Sequence, residues 1–299
     1  MLGALFGALL TGIAQGAMIA LVALGYTMVY GVLKLINFAH SEVFMMGAYA
    51  GFFLMGWLGG TDHPVAAAAF GTLGAMVVAS TLGILVERVA YRPLRQRMAA
   101  RGGQAKGGNA RITPLVTALG VSVLLQNVAQ LLFSARYRSY PQLFAHTRIV
   151  IFVVALLVMG ALQLLVYRTW TGKAMRALSA NVEAARLMGI RTGRVIAFTF
   201  AIGSSLAALG AVLYCLDQSQ VYPTMGVVIG TRAFVAAVLG GIGSIPGAVL
   251  GGGLIGIIGE LVKLSDYSGG QDVLIFMVLI LVLLLRPAGL LGKAGVEKV

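Results

Sequence analysis

Cysteine, histidine and acidic residues are all scarce in this 299-residue chain, which holds one Cys, three His and nine Asp plus Glu. A single cysteine, Cys215, excludes an internal disulfide framework and any multi-cysteine metal site. It reads as a small apolar helix residue. His40, His63 and His146 are too dispersed in the chain for a metal site, so none is expected. No Ser/His/Asp set or carboxylate pair has a candidate catalytic arrangement. The GxxxxGK[ST] phosphate loop is missing too. Gly172-Lys173 lacks both the leading Gly and the following Ser or Thr, so the chain does not hydrolyse ATP by that route. HExxH is absent, as are a TVGYG potassium filter and the arginine repeat of a voltage sensor.

Charge of either sign is rare. Only 10% of residues are charged and 59% are apolar, where a soluble domain has roughly a quarter charged. A water-soluble chain of this size has too small an interior to hide that much apolar surface, and a bilayer supplies the missing apolar solvent. Glycine is abundant at 41 residues, which suits close helix packing in lipid. The fold class expected is therefore all-α, a polytopic transmembrane bundle. A net charge of +13 invites a nucleic-acid reading, but its distribution argues against one. Six basic residues lie in 91–112, six in 168–194 and three in 286–299, fifteen of the 22. Basic clusters between long apolar runs follow the positive-inside rule and mark orientation, with anionic lipid headgroups as a second attraction. No leader peptide is expected, because 1–33 carries no charge and its apolar run is too long.

Charge-free runs recur at 1–33, 43–61, 64–86, 112–135, 149–167, 195–216 and 233–259, with a shorter one at 273–285. The block 226–264 is interrupted at Gly240-Gly-Ile-Gly-Ser-Ile-Pro-Gly247, so eight or nine spans are expected, with a broken segment near 240–247. Segments 91–112 (Arg92, Arg95, Arg97, Arg101, Lys106, Arg111) and 168–194 belong to the cytoplasm, as does the tail (Arg286, Lys293, Lys298). The loops around Asp62 and Asp217 belong outside. The N-terminus then falls outside, and a cytoplasmic tail needs an odd number of spans. Loop 135–148, with Arg136, Arg138 and Arg148, fits its predicted outer side poorly. Pairs such as Gly3/Gly7, Gly12/Gly16, Gly47/Gly51, Gly226/Gly230 and Gly243/Gly247/Gly251 put small residues on one helix face. They serve either packing within the chain or a dimer interface.

Polar groups inside apolar blocks mark candidate pathway positions. Asn37, His40 and Glu42 head the second span, and Gly243 and Ser244 lie in the glycine-rich break. Asn37 and Glu42 read equally as a helix cap and a first-turn acid at a helix dipole. Gln126, Asn127, Gln130 and Gln163 read as interhelical hydrogen bonds, and Arg232, Glu260 and Lys263 as lying near span ends. In segment 171–191, Met175, Leu178, Val182, Ala185 and Met188/Gly189 follow helical spacing. A short amphipathic helix ending near Gly189 follows, either lying on the membrane surface or docking in a groove of a soluble partner.

Three stretches carry a family resemblance: Leu35-Ile-Asn-Phe-Ala-His40 with Gly47-Ala-Tyr49, Arg176 to Ile190 (RALSANVEAARLMGI), and Gly240 to Gly251 (GGIGSIPGAVLG). With them the chain resembles LivH-type permeases of branched-chain amino acid ABC transporters over essentially its full length. Ser41 stands where many relatives have Gly. The resemblance implies one transmembrane permease domain over 1–299 in a bacterial inner membrane, itself not an enzyme and holding no cofactor. ATP would be used by partner subunits. Those partners would be a homologous LivM-type permease, two cytoplasmic ATPases of LivG/LivF type and a periplasmic substrate-binding protein, with membrane lipid around them and no nucleic acid. By the same analogy 171–191 is the coupling segment received by an ATPase, and Arg176, Asn181, Glu183, Ala184, Ala185 and Gly189 match its motif. The implied cargo is Leu, Ile or Val. Urea, short amides or aromatic acids are alternative cargoes, and a stand-alone carrier or channel is the alternative of another class.

Overall fold

The computed structural model describes residues 2–59, 62–100, 109–144, 147–264 and 268–292. Arg101, Lys106, His146, Lys293 and Lys298 lie outside the described residues. Nearly all of the rest is helix. In order these are α1 (Leu2–Leu33), α2 (His40–Trp57), α3 (Pro64–Val86), a π-turn (Glu87–Tyr91), α4 (Arg92–Ala100), α5 (Asn109–Phe133) and α6 (Thr147–Arg168). There follow α7 (Trp170–Ala180), α8 (Val182–Leu187), α9 (Thr192–Gln218), α10 (Met225–Gly240), α11 (Ile245–Lys263) and α12 (Gln271–Leu285). Among the described residues six helices are long and apolar enough to cross a bilayer: α1, α3 with its extension, α5, α6, α9 and α11. α10 and α12 are shorter apolar helices, and α2 is long enough but begins with His40, Ser41 and Glu42. The chain is thus a multi-pass membrane protein, and the described residues hold nine helices that are candidates for spans, roughly the eight or nine expected. The block 226–264 is two helices, as its Gly/Pro content predicts.

Small residues set which helices meet. α1 and α11 run antiparallel with backbones in near contact: a Cβ at Gly12 would lie 2.8 Å from Ile257 Cα, and one at Gly16 2.8 Å from Gly253 Cα. Gly47 of α2 faces Ala208 of α9, and Gly247 and Gly251 of α11 face α10. Most small-residue pairs therefore serve packing within the chain. Gly3 and Gly7 do not, having nothing within 4 Å. In lipid, where burial of apolar surface offers no gain between helices, such close approach supplies the dispersion contacts that hold the bundle.

The two ends of the bundle differ in charge. At one end, Arg88 and Arg92 share a cleft with Arg186, Arg191 and Arg194. At the other, Asp62 lies in a pocket with Ser139, Tyr140 and Pro141, and Arg148 pairs with Asp217 at 3.6 Å. A two-residue antiparallel ladder, Arg138↔Val221 and Ser139↔Gln220, ties loop 135–148 to the loop after α9. That loop therefore shares the end of Asp62 and Asp217, as its place in the chain predicts despite its arginines. Arg138 is held there by the Phe133 carbonyl at 2.9 Å and by the Phe53 ring.

Several polar expectations need correction. Asn127 bonds the Val123 carbonyl of its own helix at 2.7 Å rather than another helix. Arg232 sits in the middle of α10 and not near its end, and is balanced by Asp272 at 2.7 Å in the first turn of α12. Glu260 and Lys263 do pair in the last turn of α11. The break at 240–247 is a turn between two antiparallel helices. Gly241 and Gly243 adopt φ of +104° and +95°, which only glycine takes without strain.

Candidate functional site

The site at the head of α2 begins where α1 ends. Lys34 takes a left-handed φ of +56°, and the chain turns back without helix until His40. Asn37 closes this turn, its Oδ1 accepting the Ala39 N–H at 3.2 Å and the Tyr91 hydroxyl at 2.9 Å. Tyr91 is brought there by the π-turn, a one-residue register shift of a kind often found at functional sites. Glu87 in the same turn is buried and paired with Arg95. The buried His40 ring lies edge-on to Tyr26 at 4.7 Å, and packs where a side chain on Gly25 would collide with it.

Glu42 is fully buried. Its Oε1 accepts from Ser122 of α5 at 3.4 Å and lies 3.5 Å from Ser41 Oγ. Its Oε2 has no hydrogen-bond partner among the described residues. That oxygen lies 3.2 Å from where a Cβ on Gly226 would stand, in the first turn of α10. Gly226 and Gly230 accept Ser41 against the α10 backbone, and a side chain at either would overlap it. Gly230 is about 15 Å of helix from Gly240, so the start of α2 meets α10 well inside the bundle. Glu42 therefore stands between the N-terminal turns of two helices, whose dipoles favour the anion. Discontinuous helices with termini at mid-depth are a common way to build a transport site. Ser244 Oγ caps α11 at Gly247 N–H, and Gly243 approaches Gly31 near the end of α1.

The coupling-motif residues form a second group, at the arginine-rich end. The spacing predicts one amphipathic helix here; the segment forms two, α7 and α8. Asn181 adopts an extended conformation (φ −158°, ψ 116°), and its Oδ1 accepts the N–H groups of Glu183 and Ala184 at 2.9 and 3.0 Å. An N-cap in mid-segment breaks the period. Met175, Leu178 and Ala185 are buried, while Val182, Leu187 and Met188 face out. Arg176, though exposed, reaches back to the end of α6, donating to the Val166 carbonyl at 2.6 Å and lying over Tyr167. Gly189, at φ +79°, closes α8 in a Schellman motif: its N–H bonds Arg186 O and the Ile190 N–H bonds Ala185 O. Glu183 and Ala184 are exposed.

Tyr91, Ser122 and Tyr26 join the first group from the π-turn, α5 and α1, and no local pattern around them marks that role. Gly172, singled out only against a phosphate loop, lets α7 pack against the Leu165 and Val166 carbonyls. Among the described residues no group of three His, Cys, Asp or Glu is placed to hold a metal ion.

A family profile described as branched-chain amino acid transport system/permease component matches residues 8–283. The high-affinity branched-chain amino acid transport permease BraD of Pseudomonas aeruginosa is 42% identical, over 97% of each chain. LivH of Escherichia coli, a permease of the same description, is 40% identical over 96% of each. The probable branched-chain amino acid transport permease LivH of Methanocaldococcus jannaschii is 28% identical over 92% of this chain and 89% of its own. No solved structure matches the chain. With six spans long enough to cross a bilayer and a family match over most of its length, the chain belongs to the branched-chain amino acid transport system/permease component family.

Proposed function

We propose that this chain is the membrane permease of an ABC importer that carries leucine, isoleucine and valine across the bacterial inner membrane. The observation that carries the reading is identity of 40–42% to BraD and LivH over nearly the whole of each chain. The arginine-rich end faces the cytoplasm, as the positive-inside rule requires, and the Asp62/Asp217 end faces the periplasm. A homologous LivM-type permease completes the path, two LivG/LivF-type ATPases supply the energy, and a periplasmic binding protein delivers the cargo.

In this reading α7 and α8 receive the ATPase. Arg176, Gly172 and the buried Met175 and Leu178 fix α7 to the end of α6, so a push on α8 reaches the spans. Val182, Leu187 and Met188, the last two 88% and 82% exposed, are the apolar surface offered to the partner. ATP binding need only bias two arrangements of the bundle through this contact. At mid-depth, Asn37, His40 and Glu42 serve the pathway. Glu42 is the group whose free oxygen accepts from the cargo ammonium, and the N-terminal turns of α2 and α10 favour its carboxylate. Gly243 and Ser244 act at one remove, holding the α10–α11 turn.

Two measurements test the reading. In cells stripped of branched-chain uptake, expressing this chain with its partners should restore leucine uptake that isoleucine and valine inhibit; inhibition by urea or an aromatic acid alone would reassign the cargo. Because Cys215 is buried, Met188→Cys gives one reactive thiol. It should cross-link to an ATPase subunit and to no other, and a thiol that links to none removes the docking assignment.

A further inference from the structure

Five arginines converge at the cytoplasmic end in a cleft that lies outside the pathway and contains none of the exposed apolar residues of α8 assigned to the ATPase. Arg88 and Arg92 come from the junction of α3 and α4, and Arg186, Arg191 and Arg194 from α8 and the start of α9; together they line an open cleft of about 650 Å³. All five are exposed. Among the described residues none of the five forms an ion pair or a side-chain hydrogen bond. The one acid on the wall, Glu87, is buried and already taken by Arg95. Like charges gathered around one space raise each other's energy unless an anion joins them. α9 adds to the attraction: Thr192 and Gly193 of its first turn line the cleft, and its N-cap residue, Arg191, supplies no side-chain cap. Uncapped N–H groups at the start of a 27-residue helix favour a phosphate.

The rest of the lining is largely apolar: Ile84, one helical turn before Arg88, and Ala197, Phe198 and Ala201, one to two turns after Arg194 on α9. These residues lie within two of the candidate spans, and Phe198 is 40% exposed. The cleft therefore runs from a guanidinium cluster at the membrane surface onto an apolar strip that continues into the bilayer. We propose that it is a binding site for an anionic phospholipid, with the phosphate among Arg88, Arg92 and Arg194 and an acyl chain along Ile84 and Phe198. A soluble phosphate shares the first half of this chemistry and has no use for the second. The apolar residues offered to an ATPase, Val182, Leu187 and Met188, are not part of the cleft, to which α8 contributes only Arg186. A lipid held here bridges the end of α3 to the α8–α9 junction, the elements between the coupling segment and the spans.

The test is native mass spectrometry of the full-length chain, stripped of lipid and titrated with phosphatidylglycerol, phosphatidylcholine or inorganic pyrophosphate. Phosphatidylglycerol should remain bound at concentrations where the other two leave no adduct. The triple variant Arg88→Gln/Arg92→Gln/Arg194→Gln should bind it about a hundredfold more weakly. The corresponding Lys variant, which keeps the charge, should retain most of the binding. Arg168→Gln, at another exposed arginine of the same end, should change nothing. All substituted side chains are exposed, and unchanged thermal unfolding confirms that the fold is kept. Two results would overturn the site: phosphatidylglycerol binding unaltered in the triple variant, or pyrophosphate binding as tightly as the lipid.

Discussion

At Glu42 a carboxylate without solvent contact meets one serine from its own helix and one from α5, and leaves an oxygen beside the first turn of α10. Glu42→Gln keeps the shape and removes the charge. If this carboxylate receives the cargo ammonium, leucine uptake should fall about tenfold or more, since hydrogen bonds to charged groups contribute about 1.5–3 kcal/mol. Membrane levels of the protein should be unchanged, and unaltered uptake kinetics would remove Glu42 from the pathway. Gly189 offers a second residue-scale test. A side chain at its φ of +79° costs about 1–2 kcal/mol, and Asn181→Ala about 1 kcal/mol through the lost cap. Both loosen α8 without touching the spans, so ATP hydrolysis per leucine transported should rise; a constant ratio would mean that α8 carries no force. What the sequence disclosed at this scale followed local chemistry. Asn37 and Glu42 were visible as polar residues at the head of an apolar run. Tyr91 and Ser122 were not, because they reach that point only through a π-turn and through α5.

Element by element, spacing predicted which faces pack but not what they pack against. Gly12/Gly16 and Gly3/Gly7 share the same four-residue spacing, yet only the first pair meets a partner helix, α11. The neighbouring glycines of α11 separate the two cases cleanly. A Cβ on Gly252 would stand 2.6 Å from Ala20 Cβ, whereas one on Gly253 would have nothing within 4 Å. Gly252→Ala should therefore cost about 1–3 kcal/mol and lower the melting temperature in detergent by several degrees, while Gly253→Ala, at an open helix-interior position, should not lower it. Equal effects would contradict the α1–α11 contact. Segment 171–191 shows the opposite failure of periodic reasoning. Its apolar stripe reads as one helix, but Asn181 is a better cap than a helix-interior residue, and the stripe splits into a buried part that anchors and an exposed part that docks.

For the molecule as a whole, composition gave the class of fold and the basic segments gave two ends, and the packing agrees with both. Loop 135–148 carried the wrong charge for its predicted side, and the ladder to 220–221 with the Arg148–Asp217 pair shows where it belongs. Charge and hydropathy report where a segment sits relative to lipid; they carry nothing about cargo, which depends on groups from α2, α5 and α10 meeting at one point. The most direct measurement is leucine accumulation in sealed proteoliposomes containing this chain, the homologous permease and both ATPases, with the binding protein on the outside and ATP within. The account predicts accumulation that stops when this chain, the ATPases or ATP is left out, and that isoleucine and valine compete away. Leucine movement that persists without ATP and the ATPases, or no accumulation of any branched-chain amino acid by the complete set, would contradict it.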